Sequence, residues 1–223
     1  MQELLSEAGL AAQKISLDAL HLSPKTLTQI EKSKGIYVIG LKENQAELSA
    51  DMKRASQTLP TNGSYSEIEK GHGRIEKRKY ETYSIDNEYF DERWKAANFQ
   101  TLIQVNRVIY DCKKKTEYNE TAFYLSNQAV KNIVGHPRAD VELAQAIRGH
   151  WKVETNNHIR DVTLNEDQQR TLNVEVTKIL STCRTIVINL LNQLKPENRV
   201  AQLELFSDDF KTLINWFKEI KVL

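Results

Sequence analysis

The chain has 223 residues, of which 40% are hydrophobic and 27% charged, and its formal net charge is +1. This composition is ordinary for a globular protein. The near-neutral charge excludes nucleic-acid binding through a global positive field, so any DNA contact must come from local basic clusters. No apolar run approaches the roughly 18 residues that a membrane-spanning helix needs.

The cysteines and the N-terminus indicate a cytoplasmic protein. Cys112 and Cys183 have no metal-binding or redox spacing and are interpreted as free thiols of a reducing compartment. The opening "MQELLSEAGLAAQK" lacks the basic start and the long apolar core of a signal peptide. We therefore expect cytoplasmic localisation and no membrane partner.

Two apolar segments near the N-terminus predict parallel strands. After a helix-like opening, "QELLSEAGLAAQ", the segment "KISLDAL" alternates apolar and polar residues and predicts a strand that ends at Asp18. Ser23 and Pro24 begin an amphipathic helix that runs toward Gly35. "GIYVIGLKENQ" then has the apolar run of a buried parallel strand. The order strand, helix, strand predicts a βαβ unit within residues 1–50.

The rest of the chain separates into a β-rich part, residues 51–137, and a helical part, residues 138–223. Residues 56–66 predict a loop, with Pro60 and Asn62-Gly63 as turn signals. The β-branched and aromatic segments "RIEKRKYETYSI", "FQTLIQVNRVIYD" and "TAFYLSN" then predict strands, as an inserted sheet or as a continuation of the first. Residues 140–160, 166–194 and 200–221 predict helices, with Pro196 as a break.

The first of these helices carries ionisable side chains where its apolar stripe should continue. On a helical wheel one face begins apolar and turns polar. Its members are, in chain order, Leu143, Ile147, His150, Trp151, Glu154, His158 and Asp161. Either the helix leaves the core at Trp151 and its end is solvated, or Glu154 lies at the floor of a cleft. A carboxylate beside aromatic surface is costly to ionise unless a cation or a donor compensates it.

Asp18 is the candidate partner of Glu154. It follows the first predicted strand, at the sheet end where open α/β sheets gather ligands, although an aspartate there could equally cap a turn. Two neighbouring carboxylates repel each other, and a divalent metal relieves that repulsion. A zinc site on His150, Glu154 and His158 is the weaker alternative, because ligands on three successive turns spread along the helix axis.

Five blocks of the sequence resemble a bacterial insertion-sequence transposase. They are "ISLDALH", "GIYVIGLKENQAEL", "GHGRIEKRKYE", "ETAFYLSNQ" and "AIRGHWKVETNNHIRDVTLNED", and they span about residues 12–170. Their order and spacing are similar to the DDE branch that includes the H-repeat-associated proteins. "GLKENQ" and "GHGRIEKR" are the most distinctive of these motifs.

The resemblance implies an α/β fold with a ribonuclease-H-like catalytic core, a β-rich insertion and a helical C-terminus. The family's Asp, Asp, Glu triad binds two Mg²⁺ ions, which serve DNA strand cleavage and strand transfer. By block position, Asp18 resembles the second aspartate and Glu154 the glutamate, so both are expected as catalytic metal ligands. The family's basic residue four positions before the glutamate is His150 here, and Arg148 nearby could contact a phosphate instead.

Two departures from the family pattern limit the expected activity. The chain has "ETNNHIRD" where the family usually has "ENxLHW", and residues 1–17 contain no aspartate. The resemblance therefore implies the C-terminal portion of a longer transposase, with an incomplete core that lacks the N-terminal strands and the first catalytic aspartate. We expect weak or single Mg²⁺ binding and no DNA cleavage by this chain alone.

Candidate DNA contacts lie in three places. Lys42, Asn44 and Gln45 follow the second strand near the sheet end that carries Asp18. "EKGHGRIEKRK" supplies Arg74 and Arg78 for phosphate contacts. A solvated strand edge or hairpin turn explains this cluster equally well, and it explains the lysines of residues 113–115 better. His150 and Arg148 complete the expected set.

The sequence is compatible with three functions. The first is a transposase catalytic segment that acts on element ends and target DNA as a homo-oligomer or with a full-length transposase. The second is a small metal-dependent nuclease that recruits Asp161 or Glu166 as a further carboxylate. The third is a non-catalytic remnant that binds DNA or a transposase. The family comparison also implies a bacterial, nucleoid-associated protein.

Overall fold

The computed structural model describes residues 13–71, 73–130 and 138–219. The helix expected at the start of the chain lies outside this part, as do the last residues of the final predicted helix. The chain divides into two compact units, Met1–His150 and Trp151–Leu223.

The first unit is a mixed α/β structure. Its strands are β1 (Lys14–Leu17), β2 (Ile36–Leu41), β3 (Gly63–Gly71), β4 (Arg74–Ser84), β5 (Thr101–Asp111) and β6 (Thr116–Ser126). Its helices are α1 (Pro24–Lys32), α2 (Ala46–Thr58), α3 (Glu92–Lys95) and the larger part of α4 (Ala139–His158). Single 3₁₀ turns cover Ala19–His21, Glu43–Gln45 and Asn87–Tyr89.

The predicted βαβ unit is present at β1, α1 and β2. β1 pairs in parallel with β2, from Lys14 opposite Ile36 to Leu17 opposite Ile39. The Ser23 hydroxyl accepts a hydrogen bond from the backbone N–H of Thr26 at 3.2 Å, so it caps α1 at the position that the sequence indicates. The parallel pair brings the ends of β1 and β2 to the same edge of the sheet.

All six strands belong to one sheet in the order β1-β2-β6-β5-β4-β3. β2 and β6 are antiparallel, and β3 to β6 form an antiparallel meander. The β-rich segment therefore continues the sheet that β1 and β2 begin. β3 was not predicted from the sequence, because it is a mostly polar edge strand in which only Gly63, Tyr65 and Glu67 are half-buried.

One face of the sheet carries the main hydrophobic core. Alternate residues of the central strands point to this face and pack with the buried residues of α1, α2 and α3. The largest of these side chains that are completely or almost completely buried are Leu27, Ile30, Tyr37, Ile39, Trp94, Phe99, Leu102 and Leu125. This packing fixes the ends of β1 and β2, where Asp18 and Lys42 follow.

Helix α4 contacts both edge strands of the sheet. Glu142 pairs with Lys14 of β1 at 2.7 Å, and Arg148 pairs with Glu69 of β3 at 2.6 Å. A flat sheet of six strands would separate its edges by about 24 Å, whereas Glu142 and Arg148 lie about 9 Å apart along the helix. The sheet must therefore curl around α4, and the helix bridges its two edges.

The start of α4 lies very close to β3. A Cβ atom on Gly63 would lie 3.0 Å from Oδ2 of Asp140 and 3.1 Å from Oγ1 of Thr82, closer than side chains normally approach. The apolar residues Leu143 and Ile147 are at most 1% exposed, as the wheel predicts for the inner stripe. Packing thus fixes the path of α4 up to His150.

The second unit is helical. After the end of α4 it contains a π-helical turn (Ile159–Thr163), a 3₁₀ turn (Glu166–Gln168), α5 (Val174–Leu194), α6 (Arg199–Asp208) and α7 (Phe210–Glu219). Asn173 and Asn198 cap α5 and α6 with their side chains. Within residues 13–71, 73–130 and 138–219, no helix has the length and apolar character that crossing a bilayer requires.

Candidate functional site

Asp18 lies directly after β1 and caps the following 3₁₀ turn. Its Oδ1 atom accepts a hydrogen bond from the backbone N–H of Ala19 at 2.7 Å. The turn-capping role that the sequence allows is therefore real. It leaves room for a second role, because a carboxylate offers about four acceptor positions on two oxygens.

Lys42 reaches the same carboxylate from the end of β2. Its Nζ atom lies 3.2 Å from Oδ1 of Asp18, and the side chains of Lys42 and Asp18 are 68% and 30% exposed. Partial burial raises the pKa of Asp18, but the hydrogen bonds from Lys42 and Ala19 outweigh it, so the pKa lies below its usual value. Asp18 is therefore an anion at neutral pH, which is the form that binds a cation.

His150 of α4 approaches Asp18 within the first unit. A ring nitrogen of His150 and a carboxylate oxygen of Asp18 lie within 4.8 Å of each other. His150 also contributes electrostatically to the lowered pKa of Asp18. The sequence predicts that Asp18 lies near the polar stripe of α4, although it pairs Asp18 with Glu154 of that stripe rather than with His150.

Glu154 follows His150 by one turn of α4. The spacing i, i+4 places the two side chains on the same side of the helix. Residues 152–158 are all exposed, so α4 leaves the hydrophobic core at Trp151. The solvated helix end is therefore observed, and Glu154 is water-accessible rather than enclosed.

The carboxylate of Asp18 opens into a cleft of about 620 Å³. Its walls include Lys42 and Asn44 from the predicted set, and also Ser49 and Lys53 of α2. The sequence reasoning missed Lys53 because the helix α2 itself was not predicted. An amphipathic pattern in "AELSADMKRASQT", with Leu48 and Met52 buried, was the available signal.

Asn44 and Gln45 differ in what they contact. The Asn44 side-chain amide donates to the carbonyl oxygen of Ala19 at 2.8 Å, which ties the end of β2 to the turn after β1. Gln45 is half-buried at the start of α2. Asn44 thus holds the loop that carries Lys42.

The two arginines expected to contact phosphates from the β-rich region lie in different environments. Arg74 is 55% exposed, with Nε 3.9 Å from Oδ2 of Asp111. Arg78 is 3% exposed and pairs with three glutamates, Glu67, Glu69 and Glu76. Alternation along β4 turns Arg78 toward the face that α4 covers, so the structure does not present it to a phosphate.

Arg148 is also held by carboxylates. Its guanidinium lies 3.3 Å from Glu67 and 2.6 Å from Glu69, and its side chain is 22% exposed. The expected phosphate contact gives way to an ion pair that fastens α4 to β3. In the second unit, Glu166 is similarly paired with Arg160 at 2.7 Å, which leaves it less suited to bind a metal.

The donor set around Asp18 fits a divalent cation. Carboxylate oxygens are the ligands that Mg²⁺ prefers, and Mn²⁺ accepts the same oxygens together with an imidazole. Asp18 offers an ionised carboxylate, and His150 offers a ring nitrogen near it. Glu154 offers a second carboxylate, one turn beyond His150 on α4.

Comparison with solved structures and family models gives no assignment. No family model matches the sequence. The similar solved structures include DesVI of Streptomyces venezuelae, with a TM-score of 0.26, 12% identity, and coverage of 52% of this chain and 45% of that chain. A score this low supports no conclusion about the fold or the reaction.

Curated sequences give a clear relationship. The "H repeat-associated putative transposase YhhI" and the "Putative protein YbfL" of Escherichia coli K12 are each 28% identical to this chain over 200 residues, 85% of its length. The "Putative transposase YncI" of Escherichia coli O157:H7 is 27% identical over 203 residues. The chain spans about half the length of these proteins, 49–50%. The resemblance seen in the sequence blocks is confirmed: the chain is similar to proteins named as putative transposases, one of them H-repeat-associated.

Proposed function

We propose that this chain carries the metal-binding part of a DNA transposase core of the ribonuclease-H-like type. Asp18 and Glu154 are its two carboxylate ligands, and DNA is its partner. The observation that carries the proposal is the approach of His150 to Asp18, because Glu154 lies one helical turn beyond His150. The relatives named as transposases support the same conclusion.

The bound cation would be Mg²⁺ or Mn²⁺. When bound, such an ion polarises a phosphoryl oxygen and activates an attacking one, which is the chemistry that strand cleavage and strand transfer require. Asp18 would bind it through the oxygen that does not face Ala19 and Lys42. The short strand β1 and the capped turn hold this carboxylate in a fixed direction.

The cleft beside Asp18 would receive the DNA backbone. Lys42 and Lys53 line it with positive charge, and Lys42 is mostly exposed. Asn44 and Gln45 follow Lys42 at the same end of the sheet, and His150 of α4 lies near Asp18. Arg74 would contribute a more distant phosphate contact. Arg78 and Arg148 are left out, because glutamates hold both guanidinium groups.

We do not expect this chain alone to catalyse DNA cleavage. The family comparison implies a third carboxylate, and Asp18 and Glu154 supply two. We therefore expect that the purified chain binds metal and DNA without cleaving DNA. The nuclease alternative would need Asp161 or Glu166 instead, and Glu166 already has Arg160 as its counter-ion.

The proposal is tested by metal-dependent DNA binding. Fluorescence anisotropy with a 30-base-pair duplex should show tighter binding by the whole chain when Mn²⁺ or Mg²⁺ is added. Asp18→Asn and Glu154→Gln should each abolish that increase, whereas Glu117→Gln, an exposed carboxylate on β6, should retain it. An equal increase in all four proteins would overturn the assignment of the metal ligands.

The same samples decide between the alternatives. Metal-dependent strand cleavage by the purified chain, lost on Asp18→Asn, would favour the small nuclease. Metal-independent DNA binding in every variant, without cleavage, would favour the non-catalytic remnant.

A further inference from the structure

Two hairpin turns that are distant in sequence meet at one end of the sheet. The first turn joins β3 to β4, and the second joins β5 to β6. Arg74 lies opposite both Gly71 and Asp111, and Asp111 lies opposite Thr116. Both turns therefore begin at the same level of the sheet. The backbone N–H of Cys112 donates to the carbonyl oxygen of Gly73 at 2.9 Å. The two turns therefore form one surface.

This surface is strongly basic. We call its exposed cationic residues, Lys70, Arg74, Lys113, Lys114 and Lys115, the basic tip. A Cβ atom on Gly73 would lie 3.6 Å from Cε of Lys113, so side chains of the second turn reach the first. Residues 70–74 and 111–115 contain one acidic residue, Asp111, against these five cations.

Asp111 is committed to the local turn. Its Oδ1 atom accepts hydrogen bonds from the backbone N–H groups of Lys113 and Lys114, each at 3.0 Å. These bonds, with that of Lys114 the largest contribution, lower the pKa of Asp111, so it is ionised at neutral pH. Asp111 thus shapes the turn that presents the lysines outward while offsetting part of their charge.

Two arginines next to the basic tip are balanced by glutamates, while Glu117 of β6 is an exposed carboxylate beside it. On the face that α4 covers, Arg78 pairs with Glu69 at 3.0 Å, and Arg107 pairs with Glu76 and Glu120, each at 3.0 Å. These arginines therefore contribute little net field. The excess positive charge is concentrated at the basic tip.

The basic tip lies beyond the candidate metal site, past the end of the sheet toward which β1 and β2 run. Leu41, the last residue of β2, lies opposite Phe123 of β6. Residues 116–122 of β6 therefore extend past the end of β2. At about 3.4 Å per residue this extension is roughly 24 Å. Asp18 follows β1 at the level of Gly40, and β1 and β2 run toward the basic tip.

We propose that the basic tip is a second phosphate-contact surface for the DNA duplex that enters the cleft at Asp18. This inference rests on the proposed function. A duplex rises about 3.4 Å per base pair, so one lying along the hairpins would meet the basic tip about seven base pairs from the cleft. Lysine ammonium groups suit such contacts because they bind phosphates as point charges without reading sequence.

The salt dependence of DNA binding tests this inference. The log of the binding constant falls with log salt by about 0.9 for each phosphate that a protein neutralises. Lys113→Ala/Lys114→Ala in the whole chain should reduce that slope by about 1–2, with about tenfold weaker binding to a 30-base-pair duplex. The matched control, Lys25→Ala/Lys32→Ala, removes two exposed lysines from α1 and should change the slope by less than about 0.4.

Duplex length gives the second readout. The difference between the tip variant and the unaltered chain should shrink with a duplex of about six base pairs, which is too short to contact the cleft and the basic tip at once. Equal slopes for the tip and control variants, or an unchanged difference on the short duplex, would overturn the inference. Failure of the metal-ligand variants alone would contradict the metal assignment and leave the basic tip intact, since its contacts need no metal.

Discussion

The ammonium group of Lys42 lies 3.2 Å from Oδ1 of Asp18, on the carboxylate that we propose as a metal ligand. A lysine in this position neutralises the carboxylate before any cation arrives. Metal binding must therefore displace Lys42 or share the carboxylate with it, and the released ammonium is then available to a phosphate in the cleft. We therefore expect Lys42 to couple metal binding to DNA binding.

Lys42→Met should strengthen metal binding and weaken DNA binding. A unit charge about 4 Å from a divalent cation costs about 2 kcal/mol in a water-like medium before salt screening, so the affinity for Mn²⁺ without DNA should rise about fivefold to thirtyfold. Isothermal titration calorimetry measures the first effect and anisotropy the second. Lys25→Met, on an exposed part of α1, is the control and should change neither. Unchanged Mn²⁺ affinity in Lys42→Met would show that the ammonium does not compete at this site.

Arg148→Ala should destabilise the first unit by about 1–2 kcal/mol. The substitution leaves Glu67 and Glu69 without a cation from α4, but Glu69 is 55% exposed and water replaces part of the loss. Arg54 also pairs with a carboxylate, Asp51, but is 75% exposed. Arg54→Ala should therefore cost less than about 0.5 kcal/mol. Denaturant unfolding gives both values, and equal costs would refute the bridging role of Arg148.

Acid should weaken the contact between α4 and β1. The hydrogen bond from Lys14, opposed by partial burial, lowers the pKa of Glu142 below its usual value. The unfolded chain then binds a proton at higher pH than the folded one does, so this stabilisation is complete above the unfolded pKa. It is lost as the pH falls through the folded pKa.

Glu142→Gln removes this contribution. Its melting temperature should therefore fall less between about pH 5 and pH 3 than that of the unaltered chain. Glu117→Gln, which changes an exposed residue of β6, should follow the unaltered chain. Identical pH profiles for Glu142→Gln and the unaltered chain would show that the Lys14 pair does not stabilise the fold.

Leu143→Ala should be among the most destabilising changes in α4. Leu143 is 0% exposed on the inner stripe of the helix, and a leucine-to-alanine change in a packed core costs about 2–5 kcal/mol. Gln145→Ala lies two residues on, is exposed, and should change the free energy of unfolding by less than about 0.5 kcal/mol. Similar values for the two variants would contradict the packing of α4 on the sheet.

Local sequence patterns were sufficient to predict β1, the start of α1 and the inner stripe of α4. The alternation in "KISLDAL" predicts β1 and its acidic end, and Ser23 with Pro24 predicts the start of α1. The apolar stripe of α4 ends at Trp151 as the wheel predicts. The structure buries Leu17, Leu27, Ile30, Leu143 and Ile147 of these patterns, and Ser23 caps α1.

Long-range geometry was not available from the same patterns. Arg78 is one of several basic residues in "EKGHGRIEKRK", and only the pairing of β3 with β4 shows that Glu67 and Glu69 surround it. The meeting of the two basic turns depends on strand register over more than 30 residues. The curl of the sheet follows from the ion pairs of α4 with both edges, which join residues far apart in sequence.

Metal titration tests the central claim most directly. Isothermal titration calorimetry with Mn²⁺ on the whole chain, without DNA, should show binding that Asp18→Asn and Glu154→Gln each weaken at least about tenfold, because each removes one charged ligand. Glu117→Gln should bind like the unaltered chain. Equal Mn²⁺ affinities in all four proteins, or no binding by any of them, would contradict a metal site at Asp18 and Glu154.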